Sequence, residues 1–258
     1  MKRELAAIMA FATIAADPAH ADPFTMQKGQ GRVIVTGIVT SSDKGFDDGG
    51  HVSNIPDYDQ AQVYAQAQYG ATDDLTILLT PSFRDVQVDG SQGTSGLGYT
   101  DVGARYRFAH GTNWTLSAQG LVRIPGKKRA DRAAQVGSTD AEYDLRVGGG
   151  YSAGPVFASL EGSYRLRAGD PQNEFHADAT LGYRATPRVL LLASSYNTYS
   201  DGVGRDVFAQ RYRYNDVFLS GVYDVSDRLS LQAGYTATVA GRNALRQRGP
   251  LLGLWYRF

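Results

Sequence analysis

Alternation of apolar and polar residues with a period of two runs through most of the chain, in segments of roughly ten residues. In the stretch QAQVYAQAQY, residues 60–69, small and apolar residues occupy one set of alternate positions, and glutamines with Tyr64 occupy the other. Successive side chains of a β-strand point to opposite faces, so this pattern predicts strands with one apolar and one polar face.

The number and spacing of these segments predict the fold. Twelve can be placed, near residues 31–42, 59–70, 74–86, 98–109, 113–125, 140–153, 156–168, 174–185, 189–200, 210–225, 229–241 and 249–258. Short connections alternate with mostly longer ones, such as 43–58 and 126–139. An even number of strands, with short turns at one end and long loops at the other, is typical of a bacterial outer-membrane barrel. We therefore predict an all-β fold, a transmembrane antiparallel up-and-down β-barrel of about 12 strands, rather than a soluble β-sandwich.

The beginning of the sequence predicts a secretory signal peptide. Residues 1–3 start it with basic charge, residues 5–16 are mostly apolar but too few to span a bilayer, and residues 19–21 form a small-x-small cleavage site. We therefore assign residues 1–21 to a signal peptide and residues 22–258 to an outer-membrane barrel domain of a Gram-negative bacterium. After residue 21, no run of apolar residues is long enough for a membrane helix. Strands that cross the hydrocarbon layer must form a closed barrel, because lipid cannot hydrogen-bond an exposed strand edge.

Charge and cysteine content exclude several function classes. The 258 residues include 26 Lys and Arg and 26 Asp and Glu, so the net charge is zero. Proteins that bind nucleic acids usually carry a strong excess of basic residues, and this sequence has no such excess. There are no cysteines, which excludes disulfides and thiolate metal sites.

Two strands are the weakest part of this prediction. The ninth, near Val189 to Ala193, is apolar on both faces. The tenth changes phase near residues 216–219, and a β-bulge there would reconcile its faces.

Sorting the other residues by face predicts a charged lumen. The inward arginines are predicted to be Arg32, Arg105, Arg107, Arg123, Arg146, Arg165, Arg167, Arg184, Arg213 and Arg257. The inward acids are predicted to be Asp101, Glu142, Asp144, Glu161, Glu174 and Asp178. Two interpretations stay open: cross-strand ion pairs that fill a narrow barrel, or a path for an anionic or polyhydroxylated solute.

The second interpretation assigns a set of residues to the solute path. They are Arg105, Arg107, Arg123, Glu142, Asp144, Arg146, Glu161, Arg165, Arg167, His176, Asp178 and Arg184. Catalysis is a further alternative, since Ser163, His176 and Asp178 could in principle act as nucleophile, base and orienting carboxylate. No catalytic or zinc-binding motif surrounds them, so we expect no enzymatic activity, no metal and no cofactor.

Four stretches carry a family resemblance: MQKGQGRVIVT at 26–36, FDDGG at 46–50, IPDY at 55–58 and YGATDDLT at 69–76. They resemble the XagA-type outer-membrane proteins found with exopolysaccharide synthesis genes, with the best match over residues 26–85. The YGATD turn is also similar to barrels linked to phenol-degradation clusters. The first resemblance implies a role in moving or presenting a secreted polysaccharide, and it brings no catalytic residues.

The expected function is therefore a non-enzymatic conduit that assists polysaccharide export. The alternatives are a porin for small anionic or aromatic solutes, a plugged structural barrel, and a lipid-modifying barrel enzyme. Expected partners are outer-membrane lipid and lipopolysaccharide, the outer-membrane assembly machinery, and a polysaccharide or a periplasmic or inner-membrane synthase complex. The basic run at 126–132 could hold lipopolysaccharide phosphate.

The sequence ends in GLWYRF, which we interpret as the last strand. Leu254, Tyr256 and Phe258 are expected to face lipid, and Trp255 and Arg257 the lumen. Tyr256 and Phe258 resemble the terminal aromatic signal that the outer-membrane assembly machinery reads.

Overall fold

The computed structural model describes residues 23–128, 134–136 and 140–258, which form a closed antiparallel β-barrel. The predicted signal peptide, residues 1–21, and most of the basic run at 126–132 lie outside the described residues. A 3₁₀ turn, Asp206–Phe208, is the one helical element within those ranges. No helix there is long and apolar enough to cross a membrane.

The strands are β1 (Gly31–Phe46), β2 (Val52–Gly70), β3 (Leu75–Val88), β4 (Thr94–His110), β5 (Trp114–Ile124), β6 (Glu142–Ala153), β7 (Val156–Arg167), β8 (Asn173–Thr186), β9 (Val189–Asp201), β10 (Arg213–Asp224), β11 (Leu229–Arg242), β12 (Ala244–Leu245) and β13 (Arg248–Arg257).

Twelve of these strands make the barrel wall, which confirms the predicted count. Each strand from β1 to β10 pairs with its successor in the sequence, and β13 pairs with both β11 and β1. The seam is a ladder between β1 and β13 that runs from Arg32 and Arg257 to Ser41 and Arg248. At its short-turn end two more backbone hydrogen bonds join Gly31 N to Phe258 O (2.8 Å) and Phe258 N to Gly31 O (3.0 Å). The sequence did not predict β12, whose two residues add to the far end of β1.

The first hairpin is longer than predicted. Most of the predicted loop at 43–58 is strand, and the connection between β1 and β2 is confined to residues 47–51. The ladder continues past an irregularity between Ser42 and Lys44. Polar and apolar residues are mixed on both faces of this extension, so it lacks the alternation that marks a half-buried strand.

The outer surface carries two belts of exposed aromatic side chains. The lower belt lies at the short-turn end and comprises Tyr69, Tyr106, Phe108, Trp114, Tyr151, Tyr183, Tyr223, Tyr256 and Phe258. The upper belt lies toward the long loops and comprises Tyr143, Tyr164, Phe175 and Tyr199. On β6 and β8 the belts are eight residues apart, which is about 26 Å along a strand. Aromatic belts flanking an apolar band are typical of a barrel in a membrane, with the short turns at the periplasmic side.

The inner surface follows the predicted alternation with one error. Tyr64 and the glutamines of β2 are buried, as predicted, while Val63 and Tyr69 are exposed. The ladder of β10 and β11 has an irregularity beside Asn215 and Asp216, but its extra residue, Val239, is on β11, and β10 keeps one phase against β9, so the predicted phase change is absent. Arg213 was predicted to face inward but faces outward, because it pairs with the exposed Tyr199 on β9.

Candidate functional site in the barrel lumen

A network of buried ion pairs covers one side of the lumen toward the long-loop end. Arg123 on β5 contacts Asp101 on β4 at 2.9 Å and Glu142 on β6 at 3.0 Å. Arg167 on β7 joins Glu142 (2.8 Å) to Glu174 on β8 (3.0 Å). The exposed fraction of these side chains is 6% or less, so the network is almost fully withdrawn from solvent.

The same network continues toward the middle of the barrel. Arg165 contacts Asp144 at 3.2 Å. Arg146 lies among three carboxylates, with Asp178 at 2.7 Å and Asp144 and Glu161 at 3.6 Å. Nine of the twelve residues assigned to the solute path, His176 among them, therefore contact the network instead of standing open in the lumen.

The hypothetical catalytic group does not assemble. His176 Nε2 lies 3.1 Å from Glu174 Oε2, and its Nδ1 lies 3.1 Å from Thr198 Oγ1. Ser163 instead donates a long hydrogen bond of 3.5 Å to a network carboxylate, and Asp178 is bound to a network arginine. Each side chain is thus held by groups other than those that a hydrolase triad requires.

The remaining three predicted residues have separate environments. Arg105 donates to Gln119 Oε1 (2.8 and 3.1 Å) and to the carbonyl of Phe24 (3.0 Å). Arg107 pairs with Asp74 beside a short turn, at 2.7 Å and partly exposed. Arg184 lines the cavity described below.

The segment before β1 enters the lumen at the short-turn end. The Phe24 ring makes an edge-to-face contact with Phe157, with centroids 6.2 Å apart. It lies so close to Gly150 that a Cβ there would be 2.6 Å from the ring. Glycine at position 150 therefore leaves room for an aromatic side chain that the barrel strands do not supply.

A cavity of about 520 Å³ occupies the half of the lumen nearer the short turns. Its lining combines aromatic and aliphatic side chains, a group of hydroxyls and three arginines. The apolar part comprises Phe24, Ile34, Tyr64, Phe157, Leu190, Leu192, Tyr196, Phe218, Leu251 and Trp255. The polar part comprises Arg32, Thr36, Gln66, Ser152, Ser159, Thr180, Arg184, Ser194, Ser220, Gln232 and Arg257.

The polar groups of the cavity are held in place by hydrogen bonds. Trp255 Nε1 donates to Gln232 Oε1 at 2.9 Å, and Gln232 Nε2 donates to Ser220 Oγ at 2.8 Å. The guanidinium of Arg32 lies over the Trp255 ring, 5.4 Å from its centroid. The indole therefore presents a fixed apolar surface to the cavity, with its polar atom already satisfied.

The mouth of the cavity carries an excess of positive charge. Asp224 accepts from both Arg184 (2.5 Å) and Arg257 (3.3 Å). The side chains of these arginines are 37% and 33% exposed, against 18% for Asp224. One carboxylate therefore serves two partly solvated cations that also line the cavity, an arrangement that attracts anions.

Loop residues narrow the opposite half of the lumen. Ala134 from the loop after β5 and Leu245 from β12 pack against the inward-facing Tyr58, Val86 and Val88. All five side chains are buried. Ala134 and Leu245, which lie outside the twelve predicted strands, therefore occupy part of the lumen at this end.

Sequence reasoning missed most of the cavity because it selected residues by charge. The available signal was the ninth strand: Leu190 and Leu192 break the alternation because the lumen that they face is itself apolar. Trp255 and Arg257 were correctly placed on the inner face. Tyr256 and Phe258 face outward with their rings stacked 6.1 Å apart, and their role in assembly stays a prediction.

Comparisons with known proteins agree with this architecture. A family model described as "Putative MetA-pathway of phenol degradation" matches residues 25–258. No curated protein matches the chain in sequence. The XagA-type resemblance receives no support from these matches, whereas the similarity to phenol-degradation barrels does.

Solved structures match over nearly the whole chain. The COG4313 outer membrane channel from Pseudomonas putida F1 has a TM-score of 0.80 and 19% identity, with 95% of this chain and 100% of that chain covered. The NanC porin has a TM-score of 0.56 and 10% identity, covering 86% and 98%. The CymD monoaromatic hydrocarbon channel has a TM-score of 0.52 and 8% identity, covering 90% and 89%. At these identities the likeness shows the fold, which is that of outer-membrane β-barrels.

Proposed function

The chain belongs to the family that the phenol-degradation model describes, and on that premise we propose that it is an outer-membrane channel for small aromatic solutes. The solutes that suit it carry a carboxylate or hydroxyl group on the ring. Transport is passive and needs no cofactor. The proposal corresponds to the porin alternative rather than to polysaccharide export.

The observation that carries the proposal is the mixed lining of the cavity. Phe218 packs edge-to-face on Tyr196 with centroids 5.2 Å apart, and Trp255 and Leu192 extend this apolar surface. Hydroxyls line the same space, including the hydrogen-bonded pair Thr180 and Ser194 (2.9 Å). Apolar cavities of about 150 Å³ already accept benzene, so a cavity of about 520 Å³ has room for a substituted ring.

Charge at the mouth supports a preference for anionic members of this class. Arg184 and Arg257 are partly solvated and adjoin the cavity at its short-turn end, so an aromatic carboxylate in the cavity lies close to positive charge as well as to the apolar wall. A lumen with fixed charges at its opening raises the local concentration of the oppositely charged solute.

Polysaccharide export has weaker support from the same lumen. A hydrated sugar chain would have to displace the contact of Ala134 and Leu245 with the inner wall, and it would then meet the apolar side chains of the cavity. The family description also names phenol degradation.

Solute flux into proteoliposomes tests the proposal. We expect 4-hydroxybenzoate to enter about tenfold faster than glucuronate, an anion of similar size and equal charge. Because the two anions are matched in size and charge, we would attribute this difference in rate to the aromatic ring. Maltohexaose, a short sugar chain, should enter no faster than it enters protein-free liposomes.

Paired variants on two strands locate the selectivity. Leu192→Ala with Phe218→Ala removes apolar surface from the cavity and should reduce the ratio of 4-hydroxybenzoate to glucuronate flux. The matched control, Leu191→Ala with Leu219→Ala, changes the neighbouring residues on the lipid-facing side of β9 and β10. Equal rates for both solutes in the unmodified protein, or equal effects of both variant pairs, would contradict the proposal.

A further inference from the structure

Three arginines on the outer surface of the barrel lie on neighbouring strands toward the long-loop end, with Arg248 opposite Ala237, five residues from Arg242 along β11. Arg213 on β10, Arg242 on β11 and Arg248 on β13 lie on adjacent strands of the wall. We call these three residues the outer arginine patch. Arg211 and Arg246, in the segments just before β10 and β13, are exposed beside it.

Strand pairing shows that the patch faces away from the lumen. Arg213 pairs on one side with the exposed Tyr199 of the upper aromatic belt, on β9, and on the other side with Arg242 on β11. Arg248 pairs with Ala237 on β11 and with Ser41 on β1. Paired residues of an antiparallel sheet share a face, so all three side chains start from the outer surface.

The charges around the patch leave it with a positive excess. Asp48 binds Arg242 through one carboxylate oxygen, at 2.7 and 3.0 Å. Asp201, at the end of β9, accepts instead from the Tyr164 hydroxyl (2.7 Å). Among the ion pairs of the described residues, none within 4.0 Å involves Arg213 or Arg248.

The register of the strands places two of these positive charges side by side. Arg213 and Arg242 stand directly opposite each other on neighbouring strands, a placement that is destabilising for like charges. Asp48 offsets the charge of Arg242, and an anion between the two guanidinium groups would offset that of Arg213 and accept hydrogen bonds from both. Two exposed acids lie on the other side: Asp43 is on β1 two residues from Ser41, the partner of Arg248, and Asp59 on β2 pairs with Ser41.

The position of the patch relative to the membrane indicates which anion it binds. Tyr199, opposite Arg213, belongs to the upper belt, where the hydrocarbon layer meets the head groups. A long arginine side chain at this level reaches outward with its charge into the head-group region. In the outer leaflet of a Gram-negative outer membrane, the groups at that height are the phosphates of lipid A.

We propose that the outer arginine patch binds a phosphate group of lipid A and so fixes the rotational position of the barrel in the outer leaflet. The site lies on the opposite face of the wall from the solute cavity. It is therefore independent of what passes through the lumen.

Lipid binding by the purified full-length mature protein tests this. Native mass spectrometry from detergent micelles measures occupancy with 1,4′-bisphosphoryl lipid A and with fully dephosphorylated lipid A. We expect the bisphosphoryl form to bind about tenfold more tightly, and Arg213→Gln with Arg248→Gln to abolish that preference. Inorganic phosphate, added at the same concentration as lipid A, should not compete.

Arg188 and Arg228 provide the matched control, because they are exposed arginines at the short-turn end. Arg188→Gln with Arg228→Gln should keep the preference. Arg213→Lys with Arg248→Lys keeps the charge and should retain part of it, which separates loss of binding from loss of folding. Equal binding of the two lipids by the unmodified protein, an equal loss in the control variant, or full competition by inorganic phosphate would overturn the proposal.

Discussion

Replacing Arg146 with leucine is expected to destabilise the folded barrel by about 3–5 kcal/mol, because breaking a buried ion pair leaves its partner charge uncompensated. Arg146 is the cation shared by Asp144, Glu161 and Asp178, and its side chain is 3% exposed. The midpoint of the heat-induced shift in gel mobility, or of urea unfolding in liposomes, measures the loss. This is the largest effect on stability that we predict.

Two further variants identify the origin of that effect. Arg107→Leu removes a partly exposed pair with Asp74 and should change the unfolding free energy by about 1 kcal/mol or less. Arg146→Leu with Asp178→Leu removes a carboxylate together with the cation and should recover part of the loss. If Arg146→Leu were as stable as the unmodified protein and instead changed solute selectivity, the network would be a solute path rather than a filled wall.

Neutralising the cavity mouth is expected to have the largest effect on transport. With Arg184→Gln and Arg257→Gln, the flux of 4-hydroxybenzoate should fall about tenfold at low salt, because positive charge no longer concentrates the anion. The difference from the unmodified protein should shrink as ionic strength rises. Proteoliposome flux at two salt concentrations, and the reversal potential in a salt gradient across a planar bilayer, measure both effects.

A change of opposite sign at the same place provides the control. Asp224→Asn removes the carboxylate that Arg184 and Arg257 share, so it should increase anion preference. Similar reversal potentials for the arginine and the aspartate variants would contradict an electrostatic role for the mouth. Such a result would leave the arginines as structural partners of Asp224 alone.

The sequence predicted the barrel because its wall obeys local rules. Period-two alternation in β2, short turns and an even strand count depend on neighbours in the sequence, and the structure reproduces them. The extension of the first hairpin was missed because Lys44 and Asn54 pair outside the apolar band, where alternation disappears. Arg213 was placed on the wrong face because the sequence suggested a phase change that β10 does not make.

The cavity was harder to predict because it depends on contacts between distant parts of the chain. Leu190 and Leu192 did break the strand pattern, but only the lumen around them explains why. Phe24 reaches the cavity from a segment outside the wall, and Ala134 reaches the inner surface from a loop. Charge drew attention to Arg146 and its partners, which are buried and bind each other, and their assignment to a solute path stays a prediction.

Fluorescence of Trp255 tests the central claim, that an aromatic solute occupies the lumen cavity. The chain has two tryptophans: Trp255 lines the cavity, and Trp114 is exposed on the lower aromatic belt. The variant Trp114→Phe therefore reports on the cavity alone, and Trp255→Phe reports on the lipid-facing surface. In Trp114→Phe, 4-nitrobenzoate should quench the fluorescence saturably, and 4-hydroxybenzoate should reverse the quenching. In Trp255→Phe, quenching should be weak and linear in concentration. Equal, non-saturating quenching of both variants would contradict the claim.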